Sequence, residues 1–173
     1  MLIDEKFNQV AISMGTLLAQ NKYTIVFGGG SRGLMGAAAK AALENDGIVY
    51  GFIPSFLLAK EGHNSNLDHL EIVDSMHIRK QKMADSADAF IVLPGGFGTL
   101  DELFEIITWR QLSIHQKPII VVNSYSYWDP LKVLFNNVIE NKFALPEHCP
   151  YVTFVSTPQE AVDYLISQKK PMT

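Results

Sequence analysis

Residues 88–102 read DAFIVLPGGFGTLDE, and this stretch decides the fold. Asp88 to Leu93 is a short apolar run stopped by Pro94 and two glycines, the signature of a buried strand. From Thr99 a helical stretch runs to residue 114. A strand that breaks at glycines and opens directly into a helix is half of a βα unit, with its turn at the carboxyl edge of a sheet. Gly95, Gly96 and Gly98 let the backbone approach an anion, and the helix start offers free N–H groups and a positive dipole end. The Thr99 hydroxyl adds a donor. No Gly-Lys-Ser/Thr follows, so the turn is not a Walker A loop.

The same alternation extends both ways. Residues 23–28, 48–53 and 118–122 read as further strands buried on both faces, with shorter ones at 70–73 and 152–155. Helical patterns fill 6–21, 33–46, 76–86, 129–141 and 158–168. The expectation is an α/β fold with a mostly parallel sheet between helices, as one domain over 1–173, with ligands outside the carboxyl ends of the strands. The chain enters a helix (Phe7 to Gln20) before any strand, whereas a doubly wound domain normally begins with one.

Bulk properties narrow the function. The chain has 173 residues, 47% hydrophobic and 18% charged, with a formal net charge of −4. That suits a globular protein and disfavours a general nucleic-acid or anionic-membrane surface. A phosphate would have to be held locally, by amides and a few placed cations. The single cysteine, Cys149, has no partner for a disulfide and no neighbouring Cys/His set, so no metal is expected. No apolar run approaches the roughly 18 residues of a membrane span. The N-terminus is too polar for a signal peptide, and a cytoplasmic protein is expected.

Three constellations carry chemistry. Gly28-Gly29-Gly30-Ser31-Arg32-Gly33 matches G-x-G-x-x-G, but Pro54 and Ser55 follow the next strand where a dinucleotide site wants an acid. The turn is therefore either a tight strand-to-helix connection or an anion site of another kind. Around 94–102, Thr99 and Glu102 have the T-x-x-E spacing of a capping box, so Glu102 has a purely structural reading. Against it, Glu102 and Glu105 share a helix face, and two carboxylates facing a cleft suit chemistry that develops positive charge. In Ser75-Met76-His77-Ile78-Arg79-Lys80-Gln81-Lys82-Met83, Ser75 or Asp74 can cap a helix, and Met76 and Met83 point to the core. Arg79 and Lys80 form either a solvated basic face or a cationic pair reaching toward the 94–102 loop, where a planar guanidinium suits phosphate or a purine edge. His115, at a helix exit, reads as structural.

In these residues the sequence resembles the LONELY GUY (LOG) family, often labelled lysine decarboxylase. Four ordered segments carry the resemblance: GGGSRGLMG (28–36), SMHIRK with Met83 (75–83), PGGFGTLDE (94–102) and TWRQLSIHQKP (108–118). The third matches the family's PGGxGTxxE signature in full. The resemblance implies a Rossmann-like three-layer fold, usually a homodimer, and hydrolysis of the N-glycosidic bond of a nucleoside 5'-monophosphate such as AMP or prenylated AMP, without a cofactor. It places Arg79 and Glu102 as the catalytic pair. Gly95, Gly96, Gly98 and Thr99 then hold the 5'-phosphate, with Lys80, Glu105, Gly29, Gly30 and Met76 beside the substrate. Members usually begin with a strand and a Cys-Gly-Ser/Ser-type turn, and the sequence lacks this usual first strand. The helix around Trp109 is a candidate dimer surface.

Two rival functions remain. A decarboxylase would need a Schiff-base lysine in a pyridoxal phosphate pocket, and neither Lys80 nor Lys117 has that setting. A non-catalytic nucleotide-binding module would use the same loops without releasing a base.

Overall fold

The structure, a computed structural model, describes residues 3–61 and 67–168. The chain divides into two compact units, Met1–Ala87 and Asp88–Thr173. Each has its own three-stranded parallel sheet, so the α/β architecture expected from the alternating pattern is found.

The first unit runs α1 (Glu5–Gln20), β1 (Ile25–Phe27), α2 (Gly33–Leu43), β2 (Val49–Pro54), α3 (Ser55–Glu61), β3 (His69–Val73) and α4 (Met76–Ser86). Its strands lie in the order β1-β2-β3, with Ile25 opposite Val49 and Pro54 opposite Val73. β2 is central, and all of it is buried except Tyr50. At the start of α1 the Asp4 carboxylate accepts from the Lys6 N–H at 3.1 Å. Backbone and side-chain hydrogen bonds from Lys6 hold that carboxyl below its usual pKa, as an acid at a helix N-terminus prefers. α1 meets α2 through small residues. A Cβ on Gly15 would run into the Ala38 carbonyl, and Ala11, Ala19, Ala39 and Ala42 are buried. Backbones this close exclude larger side chains, which explains the alanine-rich sequence of α2.

The second unit runs β4 (Phe90–Val92), α5 (Phe97–Gln111), β5 (Ile119–Val122), α6 (Asp129–Glu140), β6 (Val152–Val155) and α7 (Pro158–Gln168), with 3₁₀ turns at Ser124–Ser126 and Pro146–Tyr151. The order is β4-β5-β6. β5 is central and wholly buried, as its Ile-Ile-Val-Val run implies. Val92, Leu103, Ile106, Ile119, Val121, Trp128, Leu131 and Val152 form the core of this unit.

Three details differ from the sequence reading. β1 and β4 are three residues each and only partly buried, because they are edge strands of their own sheets. α3 was not expected: seven residues directly after Pro54 are too short to show a helical period. α5 starts at Phe97 rather than Thr99, which matters for the site.

Candidate functional site

In the second unit, β4 ends one residue before Leu93, and buried Pro94 leads into the glycine turn. Gly96 is the N-cap of α5, at φ −103° and ψ −152°, and no side chain caps the helix. The first-turn amides, from Phe97, Gly98 and Thr99, are thus the orphan donors of a helix start. Gly96, Phe97 and Gly98 are exposed and Thr99 is half-buried, so the start of the helix is accessible, as an anion site requires. The Thr99 side chain folds back over Gly95, where any Cβ would run into its Oγ1. A side chain at position 95 would therefore require Thr99 to move.

This geometry corrects the capping-box reading. Thr99 is the third residue of the helix, not its cap, and Glu102 lies a further turn along. Glu102 and Glu105 are both half-buried on α5, whereas Asp101 is exposed. Thr99 and Glu102 therefore do not stand as the N-cap and N3 residues of a capping box.

The segment after β5 touches the turn. Tyr127 donates its hydroxyl to the Gly95 carbonyl at 2.6 Å, and its ring packs edge-on against Trp128 with centroids 4.8 Å apart. Asn123 braces the segment, accepting from the Trp128 N–H at 2.6 Å and donating to Asp129 Oδ1 at 2.8 Å. The Asn123 amide, and after it Lys132, hold the Asp129 carboxyl below its usual pKa. Tyr127 did not emerge from the sequence. The signal for it is topological: adjacent parallel strands bring the loop after β5 beside the turn after β4, and strand order is not written in either segment.

In the first unit, Ser75 caps α4 by accepting from the Ile78 N–H at 3.2 Å. Arg79, one turn in, is only 5% exposed, so the solvated-face alternative does not hold for it. Its Nε donates to the Phe52 carbonyl at 3.2 Å, its Nη2 to the Gly28 carbonyl at 2.9 Å, and its Nη1 reaches the Met76 sulfur at 3.8 Å. A Cβ on Gly28 would run into the guanidinium. The first glycine turn and Arg79 are thus one assembly, which the sequence did not link. Gly29, at φ +76°, and Gly30 are buried beside it. Met76, Met83 and Lys80 are half-buried. Lys82, which shares the α4 surface, pairs with Glu71 at 2.7 Å.

His115 is structural. Its Nδ1 accepts from the Lys117 N–H at 3.1 Å, which leaves Nε2 to donate to the Ile106 carbonyl at 2.9 Å. Its ring packs on Phe90. Among the described residues there is no group of three or more His, Cys, Asp or Glu placed to hold a metal, and no helix is long and apolar enough to cross a membrane.

A family profile described as "Possible lysine decarboxylase" matches residues 35–165. The cytokinin riboside 5'-monophosphate phosphoribohydrolase of Rhodococcoides fascians is 42% identical over 142 residues, 82% of this chain and 72% of that protein. The chain belongs to this LOG family. A protein of Oryza sativa subsp. japonica, named as a probable enzyme of the same activity, is 38% identical over 92% of the chain. The chain spans 65% of that protein's length and 60% of a second rice relative's. Decarboxylase is therefore the profile's label, and the relatives of this LOG protein carry the other name. Among solved structures, the molybdenum cofactor carrier protein of Chlamydomonas reinhardtii matches with a TM-score of 0.72 at 18% identity, covering 95% of this chain and 88% of that one. A molybdenum cofactor binding protein of Rippkaea orientalis gives 0.70 at 21%. At such identities the likeness is one of fold.

Proposed function

We propose that this LOG protein hydrolyses the N-glycosidic bond of a nucleoside 5'-monophosphate, giving the free base and ribose 5-phosphate. The observation that carries the reading is the PGGFGTLDE turn. A family signature forms an exposed helix start whose N-cap, Gly96, carries no side chain, and a half-buried glutamate lies one turn beyond it. The activity named for the relatives needs both elements, an anion cradle and a carboxylate.

The proposed roles follow from the chemistry. The amides of residues 96–99 and the Thr99 hydroxyl take the 5'-phosphate, which anchors the sugar and brings remote binding energy to bear on C1'. As the C1'–N bond lengthens, positive charge grows on the sugar and the bonding pair withdraws into the base. Glu102 stabilises that charge and takes a proton from water, whose oxygen bonds to C1'. The base leaves with the electron pair and gains a proton. Glu105 and Lys80 support the same reaction, and Gly29, Gly30 and Met76 contribute to the substrate surface. Arg79 supplies a buried positive charge. Its partners among the described residues are neutral carbonyls and a thioether, so the charge remains to be balanced by an anionic ligand or a departing, electron-rich base.

AMP and N6-prenylated AMP are the proposed substrate class; the relatives' names give cytokinin riboside 5'-monophosphates. A second copy of the chain is the proposed partner, through the surface near Trp109, where Leu112 and Ile114 are both 64% exposed. The decisive test is chromatography of free bases after incubation with a panel of nucleoside 5'-monophosphates. Release of adenine or prenylated adenine supports the reading, and tight nucleotide binding with no release establishes a binding module instead.

A further inference from the structure

The hydroxyl of Tyr127 ends on the carbonyl of Gly95, and that oxygen belongs to the peptide joining Gly95 to Gly96. No peptide bond of the described residues is cis, so this carbonyl and the Gly96 N–H point in opposite directions. Holding the oxygen toward Tyr127 fixes the N–H on the other side. Glycine flanks the peptide on both sides, so a half-turn of the plane about Gly95 ψ and Gly96 φ meets little steric resistance. Gly96 would move from φ −103° to a positive value that glycine accepts readily. The turned peptide would show a carbonyl oxygen where an N–H now stands, replacing a donor to an anion by an acceptor that repels it.

The segment bearing Tyr127 is built to hold one conformation. Tyr125 and Ser126 are consecutive non-glycine residues in the left-handed region, each at φ 58°. Such strain persists where the surroundings over-determine it. Here Asn123 clamps both Trp128 and Asp129, and the Tyr127 ring lies against the buried Trp128. A strained, braced loop thus delivers one hydroxyl to the one peptide of the turn that is free to rotate.

We propose that Tyr127 is a positioning residue that locks the Gly95–Gly96 peptide with its N–H in the anion-binding orientation. This rests on the phosphate cradle assigned under Proposed function. Binding of ribose 5-phosphate and of adenine is measured by calorimetry on the full chain and on Tyr127→Phe, which keeps the ring against Trp128. The expected result is about tenfold weaker ribose 5-phosphate binding, the size of one lost hydrogen bond, with adenine binding unchanged. Unchanged ribose 5-phosphate affinity overturns the lock and leaves the cradle standing. Equal weakening of both ligands with a large fall in Tm reduces Tyr127 to a structural residue and overturns it too. An unmodified chain that does not bind ribose 5-phosphate removes the cradle and the lock together. A titration of the unmodified chain followed by NMR needs no substitution. The Gly96 amide must shift with ribose 5-phosphate, and a silent Gly96 beside shifting Phe97 and Gly98 amides contradicts the lock.

Discussion

Replacing Glu102 by Gln keeps the shape of the side chain and removes its charge and its capacity to take a proton. Because Glu102 lies beyond the first turn of α5, the change should cost little stability. It should lower base release by at least 100-fold, the low end of what a positioned base contributes, while nucleotide affinity stays within a few-fold. Normal turnover by Glu102→Gln would return Glu102 to a structural role. At Arg79 the expectation is different, because stability is at stake as well. Arg79→Ala leaves the Gly28 and Phe52 carbonyls without their donor, and about 1–3 kcal/mol per stranded buried group is the usual scale. Gly28→Ala attacks the same assembly from the other side, since its methyl overlaps the guanidinium. Both variants should lower the denaturant midpoint. If Gly28→Ala unfolds at the parent's midpoint, the contact between the turn and Arg79 is not structural. From sequence, Arg79 was legible as a residue of interest. Its burial was not, because the carbonyls it satisfies belong to segments 27 and 51 positions away.

The elements themselves were largely legible. α4 and α7 fall where the pattern puts them, and β5 could be read from four consecutive β-branched residues flanked by breakers. What failed was the start of α5. A T-x-x-E spacing looks the same whether Thr is the cap or the third residue, and only the backbone at Gly96 separates the two. At this scale the close approach of α1 and α2 gives a sharp expectation. Gly15→Val places side-chain atoms against the Ala38 backbone and should cost at least the 1–3 kcal/mol typical of overpacking, read as a lower urea midpoint. In the other unit, Leu103, 1% exposed in the core, should lose about 2–5 kcal/mol on truncation to Ala. A loss below 1 kcal/mol at Leu103 would mean that α5 does not anchor on that core.

For the molecule as a whole, the alternation of buried strands and helices foretold parallel α/β structure, and the ordered motifs foretold the family. The division into two three-stranded sheets was not foretold, because a run of buried strands carries no mark of which strand pairs with which. The function proposed for this chain turns on a single chemical event, the breaking of a base–sugar bond without decarboxylation. The most direct test incubates the purified chain with AMP and with N6-prenylated AMP, then quantifies free base and ribose 5-phosphate together by chromatography. The expected result is the two products in equal amounts, rising with time and abolished by Glu102→Gln. Nucleotide recovered intact, or product formation that Glu102→Gln leaves unchanged, would contradict it.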